Sequence, residues 1–411
     1  MSANEQQDAL LARQPIYNTK LDIWAYELLF RGTATSAANN EVDISCGDSA
    51  TSQVLLNAFG DNGLESICGD HPALINFTKN LILDLPPFNP QKYVIEILED
   101  IEVDDELIQA IIAAKKSGAR LALDDFILDH NSAPLLHLVD FIKVDVLAVS
   151  KEQIKRFAEV FLPRRLKLLA EKVETHEMYE YCKDLGYEYF QGYFLSRPQI
   201  VEGKQVADNK LVVLKLLKDL QDPDIGAKQL SETLSVDPQL SFKLLTLVNS
   251  AAFARVKKCT SLQQAIAAMG FNMIRSWASL IALGHLEDKP AALHHTSIER
   301  AIFCQALGET LGDYDSFEYY TVGLFSMLDA YLDIPISQVI EKLHLTDDLK
   351  DAILNETSNL GMALNIAKCY QEGRLDDLDF SALNAKGLDQ AQIQQHYTSA
   401  IAETDRLITA L

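Results

Sequence analysis

From about residue 10 to residue 200, short runs of strand-forming residues alternate with helix-like stretches. Such alternation is typical of βα units arranged around a largely parallel sheet. The first two runs, LLARQPIY and IWAYELLF, are joined only by residues 18–22, which are too few for a helical crossover and so predict an antiparallel hairpin. Further runs follow at ALINF, KYVIEIL, ARLALDD, DFIKVDV, LKLLAEKV and YEYFQGY. The pattern predicts a (β/α) TIM-like barrel with an antiparallel first hairpin.

Several of these runs end in a polar residue that a buried strand would not normally carry. The carboxyl ends of parallel barrel strands meet at one face, so we expect these side chains to converge there. Lys143 and Asp145 are two residues apart in FIKVD and should point the same way, whereas the adjacent Asp124 and Asp125 cannot both point inward from a regular strand. The candidate site residues are Glu27, Asn76, Glu96, Asp124, Asp125, Lys143, Asp145, Glu171 and Gln191.

These carboxylates converge with only one lysine among them, and they cannot all remain ionised together unless cations compensate their charge. Carboxylate oxygens are hard ligands that favour Mg²⁺ or Mn²⁺, and the adjacent Asp124 and Asp125 are well placed to bridge two ions. The alternative for any single acid is that it caps a helix or opens a turn. The recurrence of acids at successive strand ends favours a metal site.

The composition and charge of the chain indicate which kinds of binding partner and which cellular location to expect. A formal net charge of −23 opposes general attraction to nucleic acid or to an anionic membrane. The N-terminus lacks the basic and apolar regions of a signal peptide, and no window supplies the roughly 18 apolar residues of a membrane span, which predicts a cytoplasmic protein. The cysteines are scattered without a C-x-x-C pair, so we expect reduced, structural thiols.

After about residue 200 the alternation stops, and the rest of the chain has the pattern of helices. In DPQLSFKLLTLVNS, Asp237 is a predicted N-cap and Pro238 the first helical residue, and an apolar stripe follows. The adjacent His294 and His295 would diverge by about 100° on a helix, so they cannot chelate one ion together, and we expect them at the surface. The second half therefore predicts an α-helical bundle.

Ordered motifs in the first half resemble those of EAL-domain cyclic di-GMP phosphodiesterases. YELLFR at 26–31 resembles the E-x-L-x-R signature of that family, INF its metal-binding Asn segment, and EILE at 96–99 its E-I-T-E. LALDDF, IKVD, LAEKVET and FQGYFLSRP follow in the family's order, so the similarity covers roughly residues 10–200. The resemblance implies hydrolysis of one phosphodiester of cyclic di-GMP, with linear pGpG as product and two divalent ions in the site.

The same resemblance implies individual roles. Lys143 would lie near the attacking water, Gln191 would position the water or the substrate, and Arg31 would contact a substrate phosphate. Glu99 would brace the loop after the aspartates. The implied metal ligands and their immediate support are Glu27, Asn76, Glu96, Asp124, Asp125, Asp145 and Glu171; the implied catalytic residues are Lys143, Glu171, Gln191 and Glu99.

The chain departs from the family's pattern directly after Asp-Asp-Phe. Residues 127–132 read Ile-Leu-Asp-His-Asn-Ser where the family's strongest enzymes have a glycine-rich G-T-G-Y-S loop, and Leu98 replaces the family's Thr. Glycine permits turns that Ile and Leu resist, so we expect a different loop conformation. Two functions stay open: a phosphodiesterase, favoured by the complete set of acids, and a weakly active or inactive cyclic di-GMP receptor or scaffold, favoured by the altered loop.

The second half resembles an HDOD domain in LSVDPQLSFKLLTLVNSAAF, SLQQAIAAMG and YYTVGLFSMLDAYL. HDOD modules are related to HD phosphohydrolases but usually lack the metal-binding His-Asp pair, and here Ser326 and Met327 stand at that position. The resemblance implies a non-catalytic regulatory module that contacts a protein partner. We expect an EAL domain at 1–203 and an HDOD domain at 204–411, with a coupling helix at about 205–220; a homodimer stays open.

Overall fold

The computed structural model describes residues 10–31, 63–85, 89–98, 101–124, 133–197, 208–250, 259–284, 286 and 289–410. The chain forms two compact units. The first comprises Met1–Phe194 with Tyr370–Asp377, and the second comprises Leu195–Cys369 with Leu378–Leu411. The domain boundary predicted at 203/204 lies outside the described residues and stays a prediction.

The first unit contains a closed barrel in which each strand lies beside its neighbours in the sequence. The first strand is antiparallel to both the second and the eighth, and the other neighbours are parallel. The predicted barrel with its antiparallel first hairpin is therefore confirmed. The strands are β1 (Leu10–Asn18), β2 (Ile23–Arg31), β3 (Ala73–Phe77), β4 (Tyr93–Ile97), β5 (Arg120–Leu123), β6 (Phe141–Asp145), β7 (Lys167–Glu171) and β8 (Tyr189–Gln191).

A side-chain turn closes the hairpin between β1 and β2. Asn18 Oδ1 accepts hydrogen bonds from the backbone N–H of Lys20, at 2.8 Å, and of Asp22, at 3.1 Å. Leu21 has the left-handed φ of 63° that this tight connection requires. Asn frequently initiates such turns because its side chain can replace a backbone acceptor. The turn explains why the first two strands pair without a helical crossover.

Short helices connect the parallel strands, and polar residues cap most of their N-termini. The side chains of Thr78, Asp104, Ser150 and Thr175 each accept a hydrogen bond from a backbone N–H in the first turn of the helix that follows. These caps satisfy donors that have no partner within the helix. The helices are α1 (Gly63–Cys68), α2 (Lys79–Leu83), α3 (Asp105–Lys116), α4 (Lys151–Phe161) and α5 (His176–Asp184).

An apolar layer fills the barrel interior. It receives one residue from each strand, and Trp24 packs against it. All members are buried, so the barrel has a packed core and no open channel at this level. The layer consists of Ile16, Ala25, Leu74, Val94, Ala122, Phe141, Leu169 and Tyr189.

The second unit is helical, as predicted. Asp237 caps a helix by accepting from the N–H groups of Gln239 and Leu240, and Pro238 is the first helical residue. The apolar stripe of that helix, Leu240, Leu244, Leu247 and Val248, is fully buried. No helix in the described part of the chain is long and apolar enough to span a bilayer. The helices are α6 (Asp208–Leu220), α7 (Ala227–Ser235), α8 (Pro238–Val248), α9 (Leu262–Met269), α10 (Phe271–Gly284), α11 (Ala291–Leu311), α12 (Ser316–Phe325), α13 (Leu328–Leu332), α14 (Ile336–Ile340), α15 (Asp347–Asn355), α16 (Ser358–Gln371), α17 (Phe380–Ala385) and α18 (Gln390–Ala410).

The cysteines of the described residues are free and buried, as predicted: Cys68, Cys182, Cys259, Cys304 and Cys369. Burial raises the pKa of Cys182 and of Cys304, in each case to about 12. A thiol with so high a pKa is a poor nucleophile at neutral pH. These two residues therefore act as small apolar core residues.

Candidate active site

A polar layer lies next to the apolar layer inside the barrel. Side chains alternate between the two faces of a strand, so a residue two positions beyond a member of the apolar layer also points inward. Ala25 is followed by Glu27, Val94 by Glu96, and Phe141 by Lys143. In the same way, a polar residue lies two positions beyond the apolar-layer residue in each of the other parallel strands: Asn76, Asp124, Glu171 and Gln191. The strand register thus gathers the residues predicted from the sequence at one end of the barrel.

Lys143 lies at the centre of this polar layer and is surrounded by four carboxylates. Its Nζ lies 2.7 Å from Glu96 Oε1 and 2.8 Å from Asp124 Oδ1. Glu171 Oε1 follows at 2.9 Å and Glu27 Oε1 at 3.1 Å. We call these five side chains the acidic cluster. One ammonium group cannot neutralise four ionised carboxylates, so the cluster needs further positive charge or bound protons.

Burial makes this imbalance costly. The side chain of Lys143 is only 1% exposed and that of Glu96 0%. Burial raises the pKa of Glu96 well above its ordinary value, and the neighbouring Lys143 only partly offsets it. The same effect raises the pKa of Glu171 to about 8. Burial alone would lower the pKa of Lys143, but the surrounding carboxylates outweigh it and raise that pKa well above its ordinary value.

Gln191 connects the acidic cluster to the first strand. Its Nε2 donates to Glu27 Oε2 at 2.5 Å and to Gln14 Oε1 at 2.7 Å. Gln14 lies directly opposite Glu27 in the β1–β2 pairing. The sequence interpretation missed Gln14, although it lies two residues before Ile16 in an antiparallel strand and so points inward by the same alternation. Gln14 thus holds the amide of Gln191, and Gln191 in turn fixes the orientation of the Glu27 carboxylate.

Asp145 lies at the edge of the cluster and has its own partners. Its Oδ2 lies 2.5 Å from Lys172 Nζ, and its Oδ1 accepts from the N–H groups of Leu147 and Ala148. Lys172 has a left-handed φ of 54° and directly follows Glu171. The pKa of Asp145 is lowered, because these hydrogen bonds outweigh the effect of burial. The sequence interpretation did not anticipate Lys172, since nothing in its local pattern indicates the backbone turn.

Several buried oxygens of the polar layer have no hydrogen-bond donor among the described residues. They are Asn76 Oδ1, Glu96 Oε2 and Gln191 Oε1, whereas Glu96 Oε1 contacts the ammonium group of Lys143 at 2.7 Å. Asn76 lies opposite Glu96 in the β3–β4 register. Buried oxygens without donors are unusual in folded proteins. Oxygen atoms of this kind, beside excess carboxylates, are the ligands that a hard divalent cation prefers.

The four carboxylates of the acidic cluster lie around the ammonium group of Lys143, and their oxygens are not spaced as the ligands of a metal ion. Among the described residues, no group of three or more His, Cys, Asp or Glu side chains is arranged to hold a metal. Each of the four carboxylates is attracted electrostatically to the ammonium group of Lys143. The donor set therefore fits a divalent ion by its chemistry, and binding would require some carboxylates to turn from Lys143.

Some predicted site residues fall outside the described part of the chain. They are Glu99, Asp125 and the loop 126–132. Arg31 ends β2, but its side chain is likewise outside the description. The roles of these residues stay predictions.

Gly192 directly follows Gln191 and allows a close backbone contact. Its φ is 142°, and a Cβ atom there would collide with the backbone of Val173. The N–H of Val173 donates to the carbonyl of Gln191 at 2.9 Å, so the two chain segments cannot separate without losing this hydrogen bond. Glycine is therefore required at this position to hold Gln191 in place.

We expect Gly192→Ala to destabilise the protein by roughly 3 kcal/mol, because it adds both backbone strain and a steric clash. Gly118→Ala is a matched control, since Gly118 has φ 96° but open space where the Cβ of alanine would lie. The control should cost only about 1–2 kcal/mol, from strain alone. Urea unfolding would measure both variants, and equal losses would contradict the proposed clash.

In the second unit, Ser326 and Met327 stand where the sequence resemblance places a His-Asp pair, and both side chains contact other residues of the protein. Ser326 Oγ donates to the carbonyl of Gly323 at 2.8 Å and accepts from Arg300 Nη1 at 3.1 Å. Met327 is fully buried, and its Sδ accepts from Ser297 Oγ at 3.3 Å. A hydroxyl and a thioether are poor ligands for a hard cation. This position is a structural part of the helical core.

The prediction that His294 and His295 lie at the surface was wrong, because both are partly buried. His294 Nδ1 lies 3.0 Å from Tyr331 Oη, and His295 Nε2 lies 3.3 Å from Asp405 Oδ1. Their helix, α11, packs on several sides and buries residues around most of its circumference. A sequence stripe cannot reveal that arrangement. Burial lowers the pKa of His294 to about 4, and the nearby Lys243 contributes in the same direction.

This lowered pKa predicts acid sensitivity. The folded state binds a proton at His294 less readily than the unfolded chain, so its contribution to stability is complete above about pH 6.5 and is lost as the pH falls towards 4. Replacing His294 with Gln should reduce the stability difference between pH 7 and pH 4.5 by about 2–3 kcal/mol. Urea unfolding at both pH values tests this, with the exposed His137→Gln as control; identical pH dependence in His294→Gln and the native protein would contradict it.

Comparison with known proteins places both units in described families. The model of the EAL domain matches residues 64–198, and that of the HDOD domain matches residues 209–330. Uncharacterized protein YuxH of Bacillus subtilis is 31% identical over 97% of this chain and 99% of its own length. Cyclic di-GMP phosphodiesterase CdgJ of Vibrio cholerae is 31% identical over 95% of this chain and 91% of its own. A structure of Klebsiella pneumoniae BlrP1 in a calcium/cy-diGMP complex is 23% identical, covering 48% of this chain and 58% of that chain with a TM-score of 0.39.

Proposed function

The chain belongs to the family of two-domain proteins in which an EAL domain precedes an HDOD domain, and on that premise we propose that it hydrolyses cyclic di-GMP. The product would be linear pGpG, and the reaction would require Mg²⁺ or Mn²⁺. The observation that carries the proposal is the acidic cluster at the carboxyl ends of the barrel strands, with four carboxylates around one buried lysine. Active sites of this barrel type lie at that end.

The ions would be held by oxygens of the polar layer. Glu27, Asn76, Glu96, Asp124 and Glu171 supply these oxygens, and the resemblance adds Asp125 and Asp145. When bound, two divalent ions would neutralise the phosphoryl oxygens and lower the pKa of water. The buried Asn76 Oδ1 and Glu96 Oε2 support this assignment, because no hydrogen-bond donor of the described residues reaches either oxygen.

Residues of the chain itself would orient the reactants. Both donors of Gln191 Nε2 are used by Glu27 and Gln14, while its Oε1 is buried without a donor among the described residues. Gln191 can therefore accept a hydrogen bond from the attacking water and fix its direction. Lys143 would hold the carboxylates together and supply positive charge close to that water. The proposed roles of Arg31 at a substrate phosphate and Glu99 in bracing the loop rest on the resemblance alone.

We assign a regulatory role to the HDOD domain. Ser326 and Met327 stand at the position of the metal-binding pair, and their side chains are poor ligands for a catalytic metal ion. The proposed regulation would act through contact with a protein partner, with α6 as the coupling helix. Comparing the cyclic di-GMP turnover of the full chain with and without a candidate partner tests this role.

The proposed activity is tested by incubating the purified full-length protein with cyclic di-GMP and either Mg²⁺ or Mn²⁺. Chromatography should detect linear pGpG, and EDTA should prevent its formation. The absence of turnover, together with tight nucleotide binding in calorimetry, would overturn the enzyme assignment and favour the receptor.

A further inference from the structure

A cavity lies at the opposite end of the barrel from the acidic cluster. Its volume is about 300 Å³, and Arg120, Phe141 and Lys167 line it as the first residues of β5, β6 and β7. Strand β7 runs from Lys167 to Glu171, a separation of roughly 13 Å at the usual rise per residue. The cavity is therefore distinct from the polar layer.

Positive charge dominates this cavity. Arg120, Arg164, Arg165 and Lys167 line it, together with His137, and Asp140 is the one acid among its described lining residues. Lys115 Nζ lies 2.6 and 2.7 Å from the two carboxylate oxygens of Asp140, so that carboxylate is already paired outside the arginine set. The chain as a whole carries a formal net charge of −23, so this concentration of cations runs against its composition. We call this site the basic cavity.

Two of the arginines are held in place by neutral groups. Arg120 Nη2 donates to the carbonyl of Gln91 at 2.9 Å, and Arg164 Nη1 donates to the carbonyl of Val160 at 3.0 Å. These contacts position the guanidinium groups without neutralising their charge. Burial lowers the pKa of Arg120, although Asp140 acts in the opposite direction. Guanidinium groups that neutral carbonyl oxygens hold in position are suited to binding an anion.

Arg165 occupies a backbone position that favours glycine. Its φ is 64°, in the left-handed region, where it ends the turn Leu162–Arg164. Side chains with a Cβ adopt this conformation at a conformational cost. Non-glycine residues in such positions often mark functional sites. The cost is consistent with a use for the Arg165 side chain in the basic cavity.

We propose that the basic cavity binds a small phosphate-bearing ligand, separately from the acidic cluster. Planar guanidinium groups can form paired hydrogen bonds with phosphate oxygens, and Lys167 adds a further charged donor. The cavity volume lies at the lower end of the range for small-molecule sites. The observations thus favour a phosphate group, or a mononucleotide that carries one.

Trp24 provides a direct reporter of binding. Its ring centroid lies 5.2 Å from that of Phe141, which lines the basic cavity. The chain contains two tryptophans, so Trp277→Phe leaves Trp24 as the only one. This full-length variant would be titrated with pyrophosphate and, separately, with GMP. EDTA in the buffer would keep divalent ions from the acidic cluster, so the result does not depend on the proposed hydrolysis.

We expect saturable binding of pyrophosphate or GMP by fluorescence and calorimetry. Tighter binding of GMP would identify a nucleotide site, and equal binding would identify a site for the phosphate group alone. Arg164→Gln combined with Arg165→Gln should weaken the affinity at least about tenfold, since two charge-assisted contacts are lost. Arg165→Gly should weaken it without disturbing the backbone, because glycine adopts this φ freely.

Lys155→Gln combined with Arg156→Gln is the matched control. Both residues are exposed on α4, and the double change removes the same charge from the same domain. Its affinity should equal that of the parent. Equal losses in the two double variants would overturn the proposal, since they would indicate general charge attraction. Lack of saturable binding in the parent, or undiminished binding in the Arg164/Arg165 double variant, would overturn it as well.

Discussion

Replacing Glu27 with alanine, or Asp124 with asparagine, is expected to reduce hydrolysis of cyclic di-GMP at least about a hundredfold. Each change removes a carboxylate oxygen that lies within 3.1 Å of Lys143 Nζ and that we assign to the metal site. Both variants should remain folded, because three carboxylates still pair with Lys143. The measurement is the initial rate of pGpG formation at saturating Mn²⁺, followed by chromatography.

Glu177→Gln is a suitable control for these variants. Glu177 also pairs with a lysine in the first unit, Lys151 at 2.9 Å, but both side chains are exposed on the barrel surface. The control should retain the native rate. If Glu27→Ala kept more than about a tenth of the activity, its carboxylate would not be a ligand of an essential ion.

Replacing Lys143 with methionine is expected to reduce the free energy of unfolding of the barrel by about 3–5 kcal/mol. The change removes the ammonium group that contacts all four carboxylates of the acidic cluster and leaves their charge uncompensated. Urea unfolding followed by Trp24 fluorescence, in the Trp277→Phe background, reports on the barrel alone. Saturating Mn²⁺ should restore part of the loss, because a divalent ion supplies positive charge to the same oxygens.

The surface lysine Lys92 provides the comparison for this prediction. It pairs with Glu65 at 3.1 Å, and both side chains are substantially exposed. Lys92→Met should therefore cost less than about 1 kcal/mol, with no response to Mn²⁺. Equal stability of Lys143→Met and the native protein in EDTA would mean that the carboxylates are neutralised by protons and that the lysine contributes little.

The barrel, and the convergence of most candidate site residues at one of its ends, were predictable from the sequence because both follow from alternation along the strands. Glu27, Glu96 and Lys143 each lie two residues beyond an inward-facing apolar residue, and parallel strands bring such positions together. The central place of Lys143 was not predictable, since it depends on how several strands close around one side chain. Gln14 was missed because β1 runs in the opposite direction, which places its inward polar residue before its apolar one.

Contacts between distant parts of the chain also escaped prediction. The segment Tyr370–Asp377 belongs to the first unit, where Tyr193 Oη donates to the carbonyl of Glu372 at 2.6 Å. Nothing in the local pattern of either segment indicates that pairing. His294 was placed at the surface for a similar reason, because its burial depends on helices that are far away in sequence.

The two-residue step between the apolar layer and the polar layer limits how this domain can change in length. Inserting or deleting one residue within a strand would rotate every residue beyond it to the other face, so that a carboxylate would point at the surrounding helices and an apolar side chain at the polar layer. Deleting two residues would keep the carboxylate on the inward face but shift it along the barrel axis. Length variation among natural homologues should therefore be confined to the loops, while the spacing from Ala25 to Glu27, or from Val94 to Glu96, stays fixed.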